Sequence, residues 1–250
     1  MIYIKSEQEI ESMRRANALV MEVLVELKGM VKPCVMLNDL EKKACELTKK
    51  RGAVPAFKGY SGYPSALCVS VNEVVIHGIP DGRRFENGDI VGIDFGVLLD
   101  GFYGDAAITV PVGNISKEAS RLVITTKAAL YEGIKKAKKG RRVGDISAAV
   151  QNYVERNGFS VVRDFTGHGI GRNLHEEPSI PNFGKAGTGV LIEKGMTFAI
   201  EPMVTAGSYE IEVLSDGWTA ITVDRSLSAH FEHTIVITDN EPEILSKWPN

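Results

Sequence analysis

Apolar residues at Ile10, Met13, Leu19, Val23, Leu24 and Leu27 keep to one helix face, behind a capping-box pattern at Ser6-Glu7-Gln8-Glu9. The spacing predicts a long amphipathic helix that stops at Gly29. Past Lys32-Pro33, Asn38 or Asp39 is placed to cap a second helix with Leu40, Ala44 and Leu47 inward and Gly52 at its end. From Pro55 to Pro80 the pattern turns irregular and β-like. A turn-rich loop holds Tyr60, Gly62, Tyr63 and Pro64, and short strands follow between Leu67 and Ile76.

Gly88 to Val110 then reads as two strands joined near Asp100-Gly101. Strand side chains alternate, so Val91, Ile93, Phe95 and Val97 share one face while Gly92, Asp94 and Gly96 share the other. One face is core; the other is hollow around a carboxylate. The second strand brings Asp105 and Ala107 to that hollow face. No Lys or Arg occurs between Gly88 and Val110. A buried carboxylate without a partner is costly, and with no basic residue nearby the remaining remedies are protonation or a cation. The stretch points to a metal.

After Gly113 the programme restarts, with helices expected from about Ser116 to Lys139 and from Asp145 to about Asn157. Asp39-Leu40 through Gly52 matches Asp145-Ile146 through Gly158 at a shift of 106. Glu86-x-Gly88 and Ile93-Asp94 match Glu193-x-Gly195 and Ile200-Glu201 at a shift of 107. Asp105-Ala-Ala-Ile108 resembles Glu232-His-Thr-Ile235 at 127, with a longer excursion between Val204 and Ala229 absorbing the difference. This is read as an internal duplication. It predicts a single α+β catalytic domain, 1–250, of two pseudo-symmetric halves, about 1–112 and 113–250. A central antiparallel sheet would carry helices on its outer face.

A net charge of -3 offers no basic footprint, so no specific nucleic acid is expected as partner. No apolar run is long enough to span a membrane, and no signal-peptide pattern opens the chain. Three scattered cysteines, Cys34, Cys45 and Cys68, argue against a disulfide framework and fit a cytoplasmic location. The basic run from Lys135 to Arg142 is expected as the solvated end of the third helix rather than an RNA or ribosome contact.

The second half adds Gly167-His168-Gly169-Ile170-Gly171, whose glycines are expected to leave the His168 ring free to face a ligand. Then come His175-Glu176-Glu177-Pro178, Ile200-Glu201-Pro202 and Phe231-Glu232-His233-Thr234. All five histidines lie in or beside such segments. Two aspartates, two glutamates and an imidazole suit a pair of dications, Co, Mn, Fe or Zn, without choosing among them.

These segments, with Asn72-Glu73-Val74-Val75-Ile76-His77-Gly78-Ile79-Pro80, Gly92-Ile93-Asp94-Phe95-Gly96 and Gly101-Phe102-Tyr103-Gly104-Asp105, make the chain resemble type I methionine aminopeptidases over nearly its whole length. The resemblance implies the pseudo-two-fold "pita-bread" fold and a dinuclear metalloaminopeptidase. Such an enzyme removes the initiator methionine from peptides and nascent chains, and prefers a small second residue. It implies metal ligands at Asp94, Asp105, His168, Glu201 and Glu232, with Asp105 and Glu232 bridging. Catalytic roles fall to His77, His175 and Glu201, and Tyr60, Tyr63, Cys68 and Trp218 line the methionine slot with the two histidines. A monovalent cation, Na or K, is implied near Asn72, Val74 and Ser228. A monomer is expected, with the ribosome near its exit tunnel as a partner to consider.

The chain departs from the family pattern at Leu174, where bacterial relatives often have an aromatic, and at Phe57, where some have cysteine. His230 stands where glutamine is frequent. Two residues from Glu232, it should share that face, while His233 should point away. Two rivals remain: a proline-directed peptidase of the same fold, and a binding module that has lost its metals.

Overall fold

The computed structural model describes residues 1–248. The first half runs α1 (Glu7–Met30), α2 (Leu37–Lys50), β1 (Val54–Pro55), β2 (Cys68–Val71), β3 (Val74–Ile76), β4 (Ile90–Leu99) and β5 (Phe102–Pro111). The second runs α3 (Lys117–Ile134), α4 (Val143–Arg156), β6 (Ser160–Val161), β7 (Thr166–Gly169), β8 (Glu176–Pro181), β9 (Thr197–Ile200) and β10 (Met203–Thr205). It closes with β11 (Ile211–Val213), β12 (Ala220–Thr222), β13 (Ser228–His230), β14 (His233–Val236) and β15 (Glu243–Ile244). Among the described residues every strand pairing is antiparallel, and the strands fall into four sheets.

Ser6 caps α1 as its sequence asks, its hydroxyl accepting the Glu9 N–H while the Glu9 carboxylate accepts the Ser6 N–H. The other three helices differ from expectation at their ends. α2 starts at Leu37, ahead of Asn38 and Asp39, because Leu37 and Asn38 donate their first-turn N–H groups to the carbonyls of Arg83 and Asp81. α4 starts at Val143 rather than Asp145, with Val143 and Gly144 donating to Val190 and Thr188. α3 ends at Ile134, not Lys139: the chain turns so that Ala137 enters the core, and Gly140, at φ +84°, donates to the Ile192 carbonyl. The basic run is therefore a loop beyond the helix, where Lys138 and Lys139 pair with Glu241 and Asp239.

These hydrogen bonds recur in the two halves at the sequence shifts of 106 and 107. Cys34 N–H to Phe85 O and Phe85 N–H to Val35 O have counterparts in Gly140 to Ile192 and Ile192 to Arg141. Cys34 even adopts φ +71°, the left-handed conformation that the second half gives to glycine.

The faces of β4 sort as its alternation predicts. Val91, Ile93, Phe95 and Val97 are fully buried in the main core with Leu24, Leu27, Leu40, Ile146, Phe198 and Ile200. α1 lies against β4 and β5, and Gly104 lets it come close: a Cβ there would sit 2.8 Å from the Asn17 nitrogen. β9 with β14 and β10 with β13 keep one continuous register, Ile200 opposite His233 and Met203 opposite His230. Between them the ladder breaks at Glu201-Pro202 and Phe231-Glu232. Pro202 has no N–H to give, and Glu232 turns its N–H to the Ala107 carbonyl of β5 at 2.9 Å.

Candidate metal centre

Asp94 stands on β4 opposite Cys68 of β2 on one side and Ala107 of β5 on the other, while Asp105 faces Gly96. A Cβ at Gly96 would come within 3.1 Å of Asp105 Oδ1 and 2.9 Å of Phe57 Cε1, so glycine is what lets the carboxylate lie across the strand. The Asp105 backbone is held from both halves. Its N–H points at Asn17 Oδ1 of α1 (3.4 Å), and its carbonyl accepts the Thr234 hydroxyl of β14 (2.8 Å). Glu201 and Glu232 come from the break in the second ladder, and Asn182 Nδ2 donates to the Glu201 carbonyl (3.1 Å).

His168 lies within β7, not at a loose end. Its flanking glycines are demanded by close approach: a Cβ at Gly167 would meet Ala199 O at 2.4 Å, and one at Gly169 would meet Glu177 O at 2.3 Å. The ring faces the cavity, as expected, and is held there with Nδ1 2.8 Å from the Gly169 carbonyl. That contact requires the proton on Nδ1, which leaves the Nε2 lone pair for the cavity.

Donor atoms of Asp105, His168 and Glu232 all fall within 4.8 Å of one another, and His168 Nε2 is 3.4 Å from Glu201 Oε1. These residues and Asp94 line one cavity of about 160 Å³ with no Lys or Arg in its wall. All five are buried, and among the described residues Asp94 Oδ1, Asp105 Oδ1 and Glu232 Oε1 have no hydrogen-bond partner. Burial, opposed by His230 and helped by the charge of Glu201, pushes the Asp94 carboxyl up to about 7, and burial pushes Glu201 up to about 8. Asp105 and Glu232 are driven well above the usual carboxylate range by burial, and then by the charges of Asp94 and Glu201 on Asp105 and of Asp105, Glu201 and Asp94 on Glu232. Burial takes His168 down to about 3, so its imidazole is neutral. A closed cluster of acids with bare oxygens and one lone-pair nitrogen fits divalent cations, because nothing else in its wall balances the charge.

The rest of the wall is largely apolar: Phe57, Tyr60, Tyr63, Cys68, Leu174 and Trp218, with His77 and His175. Tyr63 stacks edge-on to Trp218 at 5.1 Å, and its hydroxyl reaches the Leu67 and Gly78 carbonyls. The His77 ring packs edge-on against Trp218 (6.0 Å) and Phe165 (5.3 Å), and burial lowers it to about 4. At the mouth, Tyr60 hydroxyl and His175 Nδ1 are 2.7 Å apart. The His175 turn is shaped by Glu176, whose Oε1 accepts the N–H groups of Arg172 and Asn173 and whose Oε2 meets Lys5 Nζ at 2.5 Å, both side chains buried.

His230 is buried on the Glu201 side, whereas the His233 ring turns away to Tyr131 and Ser246. Asn72, Val74 and Ser228 lie outside the cavity. Asn72 O already accepts the Ser228 N–H (2.8 Å), and neither Asn72 nor Ser228 has an orphaned buried side-chain atom. Sequence reasoning missed the roles of Asn17, Asn182 and Thr234, which hold the backbone behind the acids, and of Thr109, which holds that of His230. For Asn17 a signal existed: an amide inside the apolar face of α1, between Ala16 and Leu19.

A methionine aminopeptidase of Clostridium perfringens is 52% identical over 246 residues, covering 98% of this chain and 99% of that one. The crystal structure of a methionine aminopeptidase from Thermotoga maritima superposes with a TM-score of 0.97 at 50% identity, covering 99% and 100% of the two chains. The prolidase of Pyrococcus horikoshii OT3, at 23% identity, shares the fold, with a TM-score of 0.80 over 99% of this chain and 64% of its own. The pita-bread architecture is thus that of the chain. The family model for "Metallopeptidase family M24" matches residues 11–239, a span that takes in all five residues of the cluster. With divalent metal as its cofactor class and hydrolysis as its chemistry, the chain belongs to metallopeptidase family M24.

Proposed function

We propose that the chain is a methionine aminopeptidase that removes the initiator methionine from peptides and nascent chains, preferring a small second residue. It works as a monomeric cytoplasmic enzyme whose two halves form one catalytic domain. The observation that supports this best is a single cavity with a floor of partnerless acids and a wall of aromatic and aliphatic side chains suited to a thioether. Asp94, Asp105, His168, Glu201 and Glu232 would hold two divalent ions, Co, Mn, Fe or Zn, with Asp105 and Glu232 shared between them. When bound, such ions supply Lewis acidity and water made acidic enough to ionise near neutral pH.

The chain's own groups do the rest. The substrate's α-amine goes to the Asp94 end, and the methionine side chain to the slot of Tyr60, Tyr63, Cys68 and Trp218. Glu201, as a carboxylate, takes a proton from the attacking water and passes it toward the leaving amine. His175 meets the developing oxyanion, oriented by the Tyr60 hydroxyl. His77, neutral at physiological pH, hydrogen-bonds the scissile amide rather than acting as a strong acid.

Release of methionine from Met-Ala-Ser, compared with cleavage of an X-Pro peptide, tests this reading. Methionine release that stops with chelator and returns with a divalent ion is expected. Preferential X-Pro cleavage, or a rate indifferent to chelator, would sink it.

A further inference from the structure

Glu201 has a histidine on each side. Oε1 lies 3.4 Å from His168 Nε2, and Oε2 lies 3.6 Å from His230 Nε2. His230 is 3% exposed, is absent from the cavity wall, and leaves Nε2 without a hydrogen-bond partner. Its backbone is clamped. The N–H donates to Thr109 Oγ1 (2.9 Å), the Thr109 hydroxyl donates back to the His230 carbonyl (2.7 Å), and β13 pairs it with Met203. The ring therefore pivots from a point fixed by both halves of the fold.

At 3.6 Å the contact with Glu201 is just longer than a hydrogen bond, and Nε2 has no other partner among the described residues. A carboxylate only accepts, so the imidazole must bring the proton. We propose that His230 is a positioning residue: it donates Nε2–H to Glu201 Oε2 and so keeps Oε1 as the oxygen presented beside His168. The two histidines then flank one carboxylate in opposite tautomers, His168 with Nε2 bare and His230 with Nε2 protonated. This rests on Glu201 being a metal ligand.

Two measurements test it. In zinc-loaded protein labelled with ¹⁵N-histidine, long-range ¹H–¹⁵N correlation should show a neutral His230 ring protonated on Nε2 and a His168 ring protonated on Nδ1. A bare or zinc-bound Nε2 on His230 overturns the proposal. In parallel, zinc affinity by calorimetry should fall about 10–100-fold in His230→Leu and stay within about threefold of wild type in His230→Gln, which keeps a donor. The visible bands of the cobalt-loaded protein should shift in His230→Leu alone. Wild-type affinity in His230→Leu, or no rescue by His230→Gln, overturns the proposal too. Should His230→Leu fail to fold, the tautomer spectrum of the wild type decides. A wild type that binds zinc but releases no methionine defeats the aminopeptidase reading and leaves this one standing.

Discussion

On β4 and β5 the ladder runs unbroken from Ile90 and Pro111 to Leu99 and Phe102, and its acids are aspartates; in the second half the ladder stops between Ile200 and Met203, and its acids are glutamates. Asp94 and Asp105 sit one pair of residues apart on a regular surface, each with a short side chain whose direction the pleat dictates. Glu201 and Glu232 sit where the backbone has left the ladder, and each has one more methylene with which to reach back. Regular structure sets the direction of a short side chain, with Asn17 and Thr234 bracing only the Asp105 backbone from outside the ladder. A broken strand needs outside help, which here comes from Asn182 and from the Ala107 carbonyl.

The largest expected effect probes whether the halves are interchangeable. Asp105→Asn should lower kcat/KM by on the order of 10³-fold, as removal of a central charged group does. Glu232→Asp should fall nearly as far, because the shorter side chain starts from the broken ladder. Near-normal turnover in steady-state assays of Glu232→Asp would show that the break imposes no reach on the acid.

Next comes the intact ladder as a source of stability. Phe95 is fully buried beneath Asp94, and Phe95→Ala should cost about 3–5 kcal/mol in urea unfolding. A loss below about 1 kcal/mol would mean that β4 is not the rigid platform described.

pH separates the acids from the histidines. Asp94 and Glu201 have folded values near 7 and 8, above their ordinary 3.8 and 4.5, so the folded chain binds more protons than the unfolded one across that interval. Their contribution is present at low pH and lost as pH rises through 7 to 8. His168 and His77, lowered to about 3 and 4 from 6.5, contribute in the opposite sense, fully above pH 6.5 and lost as pH falls. From about one unit above the ordinary histidine value, between roughly pH 7.5 and 8.5, only the acids change. Chelated protein should therefore lose about 3 °C or more in Tm per pH unit there, and metal-loaded protein should not. A flat Tm for the chelated form would contradict the charge crowding inferred for the cavity.

Thr109→Val removes the hydroxyl that ties β5 to His230 and should cost about 1–3 kcal/mol in the same unfolding assay. Smallest of all, Lys139→Ala breaks an exposed pair with Asp239 and should stay within about 0.5 kcal/mol.

The contrast between the ladders also explains what the sequence disclosed. The β4–β5 hairpin was legible because alternation is local: Val91, Ile93, Phe95 and Val97 declare their face without reference to anything distant. The repeat was legible in paired acids and glycines. The starts of α2 and α4 were not, because the groups that satisfy their first N–H groups are the carbonyls of Arg83, Asp81, Val190 and Thr188, some 40 to 50 residues downstream. For the same reason a second need for the glycines around His168 was not legible. It arises from Ala199 and Glu177 on neighbouring strands.

The pairing of Lys5 with Glu176 makes the leading segment a strut beneath the turn that carries His175. Cutting away the first five residues would remove that counter-charge and leave the Glu176 carboxylate to the N–H groups of Arg172 and Asn173, directly under a group that faces substrate. Met1 is 91% exposed, so a purification handle added ahead of it leaves the strut alone, whereas one that replaces those residues does not.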